Sequence, residues 1–512
     1  MKSLPRLRLL FAFTAGLALA LAFPPYDFTP LAWVAPAALV FLVLDSRRWV
    51  APLAGLLFGA GFYGMTLPWV YTVMRVHGGL PPVAALGVLA MMMLILSAFF
   101  AAFTAAVRWL SLRGIGLACL AAPFLWVVCE LGRAHMPVLG FPWLLLGYAA
   151  APHTGLLQLA SLTGIYGLSF LLAGYGGLFA WFLALRSRPA FRAWLVTTAV
   201  LLPAALLGYR FVPAEAFPSQ TAHLVQPNLP QSTSYGGNWL ERNAAEMDDI
   251  AARSITAAQQ RPGLVVWPEV PAPLTLHDAR FAAVAARISR EGGNPFLLGV
   301  AEYEFNDGDR PRPYNSAVLL TPPAGERAFR YDKMHLVPFG EYVPLRRLLS
   351  FAESLTQAVS NFEAGREATV GELPGGGRFG VVICYEAVFP NMVRRFTAGG
   401  AEVLVNLSND GWFVGSGAPE QHLAMARVRA VENRRWLLRG TNTGHTVIVD
   451  PYGRITSRLA PDQRAVLTGA YGLRSDRTLY VLLGDWFAYA CVIASAWLIW
   501  RGRKSGGKEV RK

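Results

Sequence analysis

Residues 82–107, Pro82-Val-Ala-Ala-Leu-Gly-Val-Leu-Ala-Met-Met-Met-Leu-Ile-Leu-Ser-Ala-Phe-Phe-Ala-Ala-Phe-Thr-Ala-Ala-Val107, hold no charged side chain. Wound as a helix at about 1.5 Å per residue, such a run is long enough to cross a hydrocarbon core of roughly 30 Å. Similar runs lie on both sides of it, and the expected spans are 9–24, 28–44, 49–73, 82–107, 115–130, 158–185, 193–209 and 480–500. Any one of them alone also suits the buried helix of a soluble core. Seven in succession before residue 211 do not, because too little polar sequence remains to cover them. The fold expected is a membrane α-helical bundle of about eight transmembrane helices, with a separate α/β domain inserted before the last span.

The chain of 512 residues is 54% hydrophobic and 15% charged, an average that hides a division. Residues 212–475 mix charged, polar and apolar side chains as a globular domain does. The expected organisation is therefore a bundle over 1–211, an extracytoplasmic domain over 212–475, a final helix over 476–500 and a basic tail over 501–512.

A formal charge of +14 invites a nucleic-acid reading until its location is checked. Lys2, Arg6, Arg8, Arg47, Arg48, Arg108, Arg113, Arg186, Arg188 and Arg192 fall on one side of alternating spans, as does the tail from Arg501 to Lys512. The short loops opposite carry only Arg75 and Arg133. Lys and Arg collect on the cytoplasmic side of membranes, so both termini are expected there and residues 212–475 outside. Topology accounts for the charge, and nucleic acid is not expected as a partner. The basic start and the tripeptides Ala18-Leu19-Ala20 and Ala20-Leu21-Ala22 also suit a cleaved leader, which would leave the remaining topology unchanged.

Three of the four cysteines, Cys119, Cys129 and Cys491, lie in expected spans, where a small apolar residue is the ordinary reading. Cys384 stands alone in the external domain. A free thiol in an oxidising compartment needs either burial or a use. No Cys/His cluster has zinc-ligand spacing, so no metal is expected.

Within the domain, strands are expected at 222–226, 263–267, 295–302, 314–320, 378–383, 403–407 and 446–450, with helices at 239–260, 281–290 and 420–434. Strands alternating with helices indicate layered α/β structure, whose sites lie just past strand ends. Glu269 ends Val266-Trp-Pro-Glu269, Cys384 lies in Val381-Val-Ile-Cys-Tyr-Glu386, and Lys333 opens Lys333-Met-His-Leu-Val-Pro-Phe-Gly-Glu341. A carboxylate in reach can take a thiol proton, while an ammonium stabilises thiolate and oxyanion. Singly, each has an ordinary reading: a core cysteine, a solvated glutamate, a snorkelling lysine.

Taken together and in this order, these motifs resemble the carbon–nitrogen hydrolase (nitrilase) superfamily. With seven preceding spans and one following, the chain resembles the apolipoprotein N-acyltransferase family over essentially its whole length. Gly140-Phe-Pro-Trp-Leu144, Gln226-Pro-Asn-Leu-Pro-Gln231, Asn406-Leu-Ser-Asn-Asp-Gly-Trp412 and Arg439-Gly-Thr-Asn-Thr-Gly444 agree with it. The resemblance implies an αββα sandwich and transfer of a phospholipid acyl chain to the N-terminal amine of a diacylated apolipoprotein at the cell inner membrane. It implies Glu269 as general base, Lys333 as oxyanion stabiliser, Cys384 as nucleophile and Glu341 as a second glutamate orienting lysine or amine. Tyr385 and Glu386 would shape the pocket, and Trp143, Asn315 and Trp412 are candidates for substrate or oxyanion contacts. Tyr235 stands where the family commonly has Trp.

No cofactor is required by a thioester route, and the chain is expected to act as a monomer. Between lysine and nucleophile, Leu345, Leu348, Leu349, Phe351, Ala352 and Leu355 recur at roughly helical spacing around Arg346 and Arg347, which suits a headgroup boundary as well as an ordinary surface helix. A membrane-tethered amidase with water as acceptor is the rival enzyme reading. A transporter is the rival outside enzymes, although ionisable residues near spans are few, Glu130 and Asp485 among them.

Overall fold

A computed structural model of the chain describes residues 5–137, 140–214, 217–230, 239–270, 275–305, 311–338, 340–342, 362–413 and 415–509. Tyr235 and the amphipathic stretch 345–355 lie outside the described residues. The chain divides into two compact units, one made of Met1–Thr72, Pro81–Val212 and Leu483–Lys512, the other of Val73–Leu80 and Pro213–Leu482.

Helices of the first unit run over Pro5–Ala20, Leu31–Val43, Val50–Thr66, Pro82–Ser111, Ile115–Ala134, Ile165–Leu185, Arg188–Leu207 and Trp486–Glu509. Among the described residues four are long and apolar enough to cross a membrane: Pro82–Ser111, Ile115–Ala134, Ile165–Leu185 and Arg188–Phe211. A fifth is the bent pair Val50–Thr66 and Pro68–His77. The first helix, of 16 residues, is as long as the expected span 9–24 but starts four residues earlier, and the second, of 13, is shorter than the expected span 28–44.

Three expected spans are corrected in detail. The run 49–73 bends by 60° where Pro68 restarts the helix, since proline lacks the N–H that would continue the ladder. The run 158–185 begins its long helix only at Ile165, after Gly164 turns the chain at φ +65°. The last helix starts at Trp486, separated from a short turn at Leu479–Leu483 by Gly484 at φ +63°.

Small residues let these helices touch backbone to backbone. A Cβ on Gly55 would lie 2.3 Å from the carbonyl oxygen of Phe100, and one on Gly59 would lie 2.4 Å from Ser97 Oγ. Without a hydrophobic drive between helices in lipid, this four-residue repeat gives Val50–Thr66 and Pro82–Ser111 the close contact that dispersion needs.

Strands of the second unit are β1 (Gln220–Gln226), β2 (Leu264–Val266), β3 (Phe296–Glu304), β4 (Arg312–Thr321), β5 (Glu326–Asp332), β6 (Val370–Glu372), β7 (Arg378–Ile383), β8 (Val403–Ser408), β9 (Trp436–Thr441), β10 (Val447–Val449), β11 (Ile455–Arg458) and β12 (Ala465–Tyr471). They form two six-stranded sheets, ordered β12-β1-β2-β3-β4-β5 and β11-β10-β9-β8-β7-β6. Each has a parallel centre, β1-β2-β3 in one and β7-β8-β9 in the other, flanked by antiparallel strands.

The period-2 alternation of strands sorts the core into layers. Leu264 and Val266 of β2 face the inter-sheet core with Val381, Ile383, Val405 and Leu438. Val265 and Trp267 face the other way, against Met247, Ile250 and Ala258 of helix Ala244–Gln260 and Phe281, Ala285 and Ile288 of helix Ala279–Gly292. Helices Pro390–Ala398 and Ala418–Asn433 contribute Val393, Phe396, Ala426 and Ala430 on the second sheet. The order of layers is helix, sheet, sheet, helix. Strands β5, β6, β9, β11 and β12 have no counterpart in the sequence reading; β9 interrupts its apolar run with Arg439, and β11 alternates half-buried with exposed residues.

Candidate active site

Glu269, Lys333 and Cys384 each lie just beyond a strand, respectively β2, β5 and β7. A parallel sheet centre collects its C-terminal strand ends on one edge, so residues remote in sequence meet there. Lys333 Nζ donates to Glu269 Oε1 and to Glu341 Oε1, both at 2.9 Å. Asn315, on β4, donates its amide to the same two oxygens at 2.8 Å each. The backbone N–H of Asn409, just past β8, reaches Glu269 Oε2 at 3.1 Å, and that of Val337 reaches Glu341 Oε2 at 2.8 Å. Two carboxylates and one ammonium are thus fixed by directional partners, with Glu269 and Lys333 buried and Glu341 partly so.

The packing tolerates little movement of Glu269. Gly299 of β3 lies under it, and a Cβ there would come within 2.5 Å of the Pro268 carbonyl oxygen and 2.7 Å of Glu269 Cα.

Cys384 follows Ile383 with φ +49°, a left-handed conformation that costs an L-residue roughly 1–2 kcal/mol. The chain then makes one tight turn over Cys384–Val388. Such strain is held only where the surroundings over-determine it. Burial pushes the thiol well up from its ordinary value and Glu269 adds to this, while Lys333 pulls it down. For Lys333 burial acts against the charge, but Glu269 and Glu341 outweigh it and hold the ammonium well above its usual range. Burial thus favours the protonated thiol while Lys333 keeps its charge, so a thiol acting as nucleophile here would need its proton removed during attack.

Glu386 ties the Cys384 turn to the loop of Lys333. Its Oε1 accepts from Tyr331 Oη at 2.8 Å and from the backbone N–H groups of Met334 and His335 at 2.7 and 3.1 Å, and its Oε2 from Ile383 N at 2.7 Å. Burial pushes its carboxyl up to about 7, against the pull of these donors and Lys333. Tyr385 packs edge-on against Phe389, whose ring also meets His335.

The remaining sequence candidates occupy different places. Asn315 bridges the two glutamates, so its amide is engaged within the cluster. Trp412 meets the ring of His77 edge-on at 4.8 Å. Trp143 belongs to the first unit, where it stacks on Phe141 and tilts against Trp69. Of the quoted phrases, Gln226 donates to the carbonyls of Ala460 and Gln463, and Asn442 exchanges two hydrogen bonds with the backbone of Leu229.

Sequence reasoning missed Asp410, His422 and Arg439, which are buried, with His422 reaching the Cys384 carbonyl. A signal was present: Asn406 and Arg439 sit among apolar residues in strands, and a charge or amide in a buried strand requires a partner. The two are cross-strand neighbours in the β8–β9 register.

Comparison with known proteins places both units. Residues 15–178 match the apolipoprotein N-acyltransferase N-terminal domain, and residues 222–475 match the carbon–nitrogen hydrolase domain. Among solved structures, yeast (Saccharomyces cerevisiae) Nit3 of the nitrilase superfamily is 20% identical with a TM-score of 0.38, covering 51% of this chain and 93% of its own. An amidase from Nesterenkonia sp. is 20% identical with a TM-score of 0.36, covering 52% of this chain and 94% of its own. The apolipoprotein N-acyltransferase of Pseudomonas putida is 34% identical, with 96% of this chain and 97% of that one aligned. That of Geobacter metallireducens is 37% identical over 509 residues, 96% of this chain and 95% of that one. With likeness of this extent across both the helical and the sandwich unit, the chain belongs to the apolipoprotein N-acyltransferase family, membrane enzymes of lipoprotein biosynthesis within the nitrilase superfamily.

Proposed function

We propose that this chain moves an acyl chain from a membrane phospholipid to the amino group of an N-terminal diacylglyceryl-cysteine, through a thioester on Cys384. The observation that carries the reading is the lysine held between Glu269 and Glu341 in the same site as a strained, buried cysteine, in a chain of this family. Glu269 takes the thiol proton as Sγ attacks the ester carbonyl, and Lys333 stabilises the oxyanion. The oxyanion collapses, the bond to the glycerol oxygen breaks, and Glu269 returns the proton to the departing lysophospholipid. A neutral amine then attacks the thioester, Glu269 accepts its proton, and the thiol is regenerated as the amide forms. Two bulky lipids need never share the site.

The bundle over 1–211, the final helix over 476–500 and the tail over 501–512 are read as membrane and cytoplasmic parts, with eight spans in all and residues 212–475 on the periplasmic side of the inner membrane. Charge asymmetry supports this reading. Tyr385, Trp143, Trp412 and Tyr235 remain candidates for lipid contact, and the enzyme is read as a monomer.

Incubating the purified chain with phospholipid and a synthetic diacylated lipopeptide tests the activity. The expected result is a lipopeptide heavier by one acyl group and an equal amount of lysophospholipid. Release of free fatty acid with the lipopeptide unchanged contradicts transfer and indicates hydrolysis.

A further inference from the structure

The nucleophile's backbone rests on a buried polar chain that no step of the proposed reaction uses. His422, inside helix Ala418–Asn433, places Nε2 3.1 Å from the carbonyl oxygen of Cys384. A carbonyl only accepts, so this nitrogen carries the hydrogen. Burial, and then Arg439, hold the ring's pKa below its ordinary value, so the other nitrogen keeps its lone pair. That nitrogen, Nδ1, accepts from Arg439 Nη2 at 3.2 Å and lies 3.3 Å from Asp410 Oδ1.

Arg439 is fixed in turn. Its Nη2 donates to Asp410 Oδ1 at 3.0 Å and Oδ2 at 2.8 Å, and its Nη1 donates to Asn406 Oδ1. Burial would raise the Asp410 carboxyl, but Arg439, His422 and Ser408 together outweigh it and hold it well below the usual carboxylate range. Ser408 donates to the same carboxylate at 2.9 Å. The chain then returns to the nucleophile's strand, because Asn406 Nδ2 donates to the carbonyl of Val382 at 3.1 Å. Thus the network holds two carbonyls, those of residues 382 and 384, at the place where β7 enters its left-handed turn. His422, Asn406, Ser408 and Arg439 are entirely buried and Asp410 nearly so, and each is met by a directional partner.

We propose that His422, Arg439 and Asp410 are positioning residues for Cys384: they hold the strained turn and so aim Sγ at the acyl carbonyl, the decisive contact being the His422 N–H on the Cys384 carbonyl. This rests on Cys384 being the nucleophile. The neutral ring makes the contact a fixed strut rather than a proton relay, and removing it misaims the thiol without touching the lipid.

The test uses the full chain in detergent, with intact mass following formation of the acyl adduct at several phospholipid concentrations. His422→Gln keeps a donor able to reach the Cys384 carbonyl, whereas His422→Asn falls about one methylene short and keeps only the side toward Arg439. With both variants melting as folded proteins, His422→Asn is expected to lose at least about 30-fold in maximal acylation rate at an unchanged half-saturating phospholipid concentration, and His422→Gln to stay within about fivefold of the parent. Equal rates in the two variants, or a change confined to half-saturation, overturn the proposal. If His422→Asn does not fold, His422→Gln alone decides, since a loss beyond about 30-fold there also overturns it. Cys384→Ala separates the two readings: an adduct that persists in it removes the nucleophile, whatever the histidine variants do.

Discussion

A buried thiol next to a carboxylate resists ionisation, and in the proposed mechanism Lys333 supplies the positive charge on which an anionic transition state at Cys384 depends. Replacing it by Met keeps most of the stem and leaves two carboxylates facing each other. The expected outcome for Lys333→Met is a folded but less stable protein with turnover down at least about 100-fold, the scale lost with one oxyanion donor. Acyl transfer assayed beside a melting curve checks this, and near-normal turnover would remove the lysine from the chemistry. Glu386 makes a different prediction. Its folded pKa of about 7 lies above the carboxylate value of 4.5, so the folded state binds a proton that the unfolded state releases. Its contribution to stability is full below about 4.5, fades as pH rises to about 7, and amounts to on the order of 3 kcal/mol over that window. Melting temperature should therefore fall from pH 5 to pH 8 more steeply in the parent than in Glu386→Gln; parallel profiles would contradict the assignment. At this scale Glu269 and Cys384 were legible because each follows a readable strand within its motif, whereas Lys333 was legible through its motif alone, since β5 before it was not read. His422 was not, since a histidine inside a helix gains its meaning only when that helix packs against the turn after β7.

Elements place these side chains through contacts that allow no extra atom. Strand β3 contributes a bare backbone beneath Glu269, and the Cβ of Gly299→Ala would displace Pro268 and Glu269 from Lys333. That variant should fold and lose at least about tenfold both in acyl transfer and in the reactivity of Cys384 toward a small alkylating agent, since a shift of the base by a fraction of an ångström suffices. Unaltered transfer would show that Glu269 has room to move. Gly299 could not be singled out from sequence, because a glycine in a strand reads as a bulge or a close approach without saying to what. Most central strands were readable from their apolar runs, whereas β9 was hidden by Arg439, the residue that pairs with Asn406 across the sheet. The helical runs were readable as apolar, but their breaks at Leu67-Pro68 and Gly164 were not, because hydropathy averages over a turn that one proline or one left-handed glycine makes.

For the whole molecule, the asymmetry of Lys and Arg predicts which side of the membrane each part occupies. A cysteine introduced in the turn Thr321–Glu326 between β4 and β5 should react with a membrane-impermeant maleimide in intact spheroplasts. Labelling only after lysis would put the sandwich in the cytoplasm and reverse the proposed route of the lipids. The central claim is that Cys384 carries the acyl chain between donor and acceptor, and intact mass of the enzyme after phospholipid alone tests it most directly. The account predicts a gain of one acyl group, removed by neutral hydroxylamine, absent in Cys384→Ala, slow to form in Glu269→Gln, and discharged by a diacylated lipopeptide but only slowly by water. An adduct of the same mass in Cys384→Ala, or none in the parent while transfer proceeds, would contradict it.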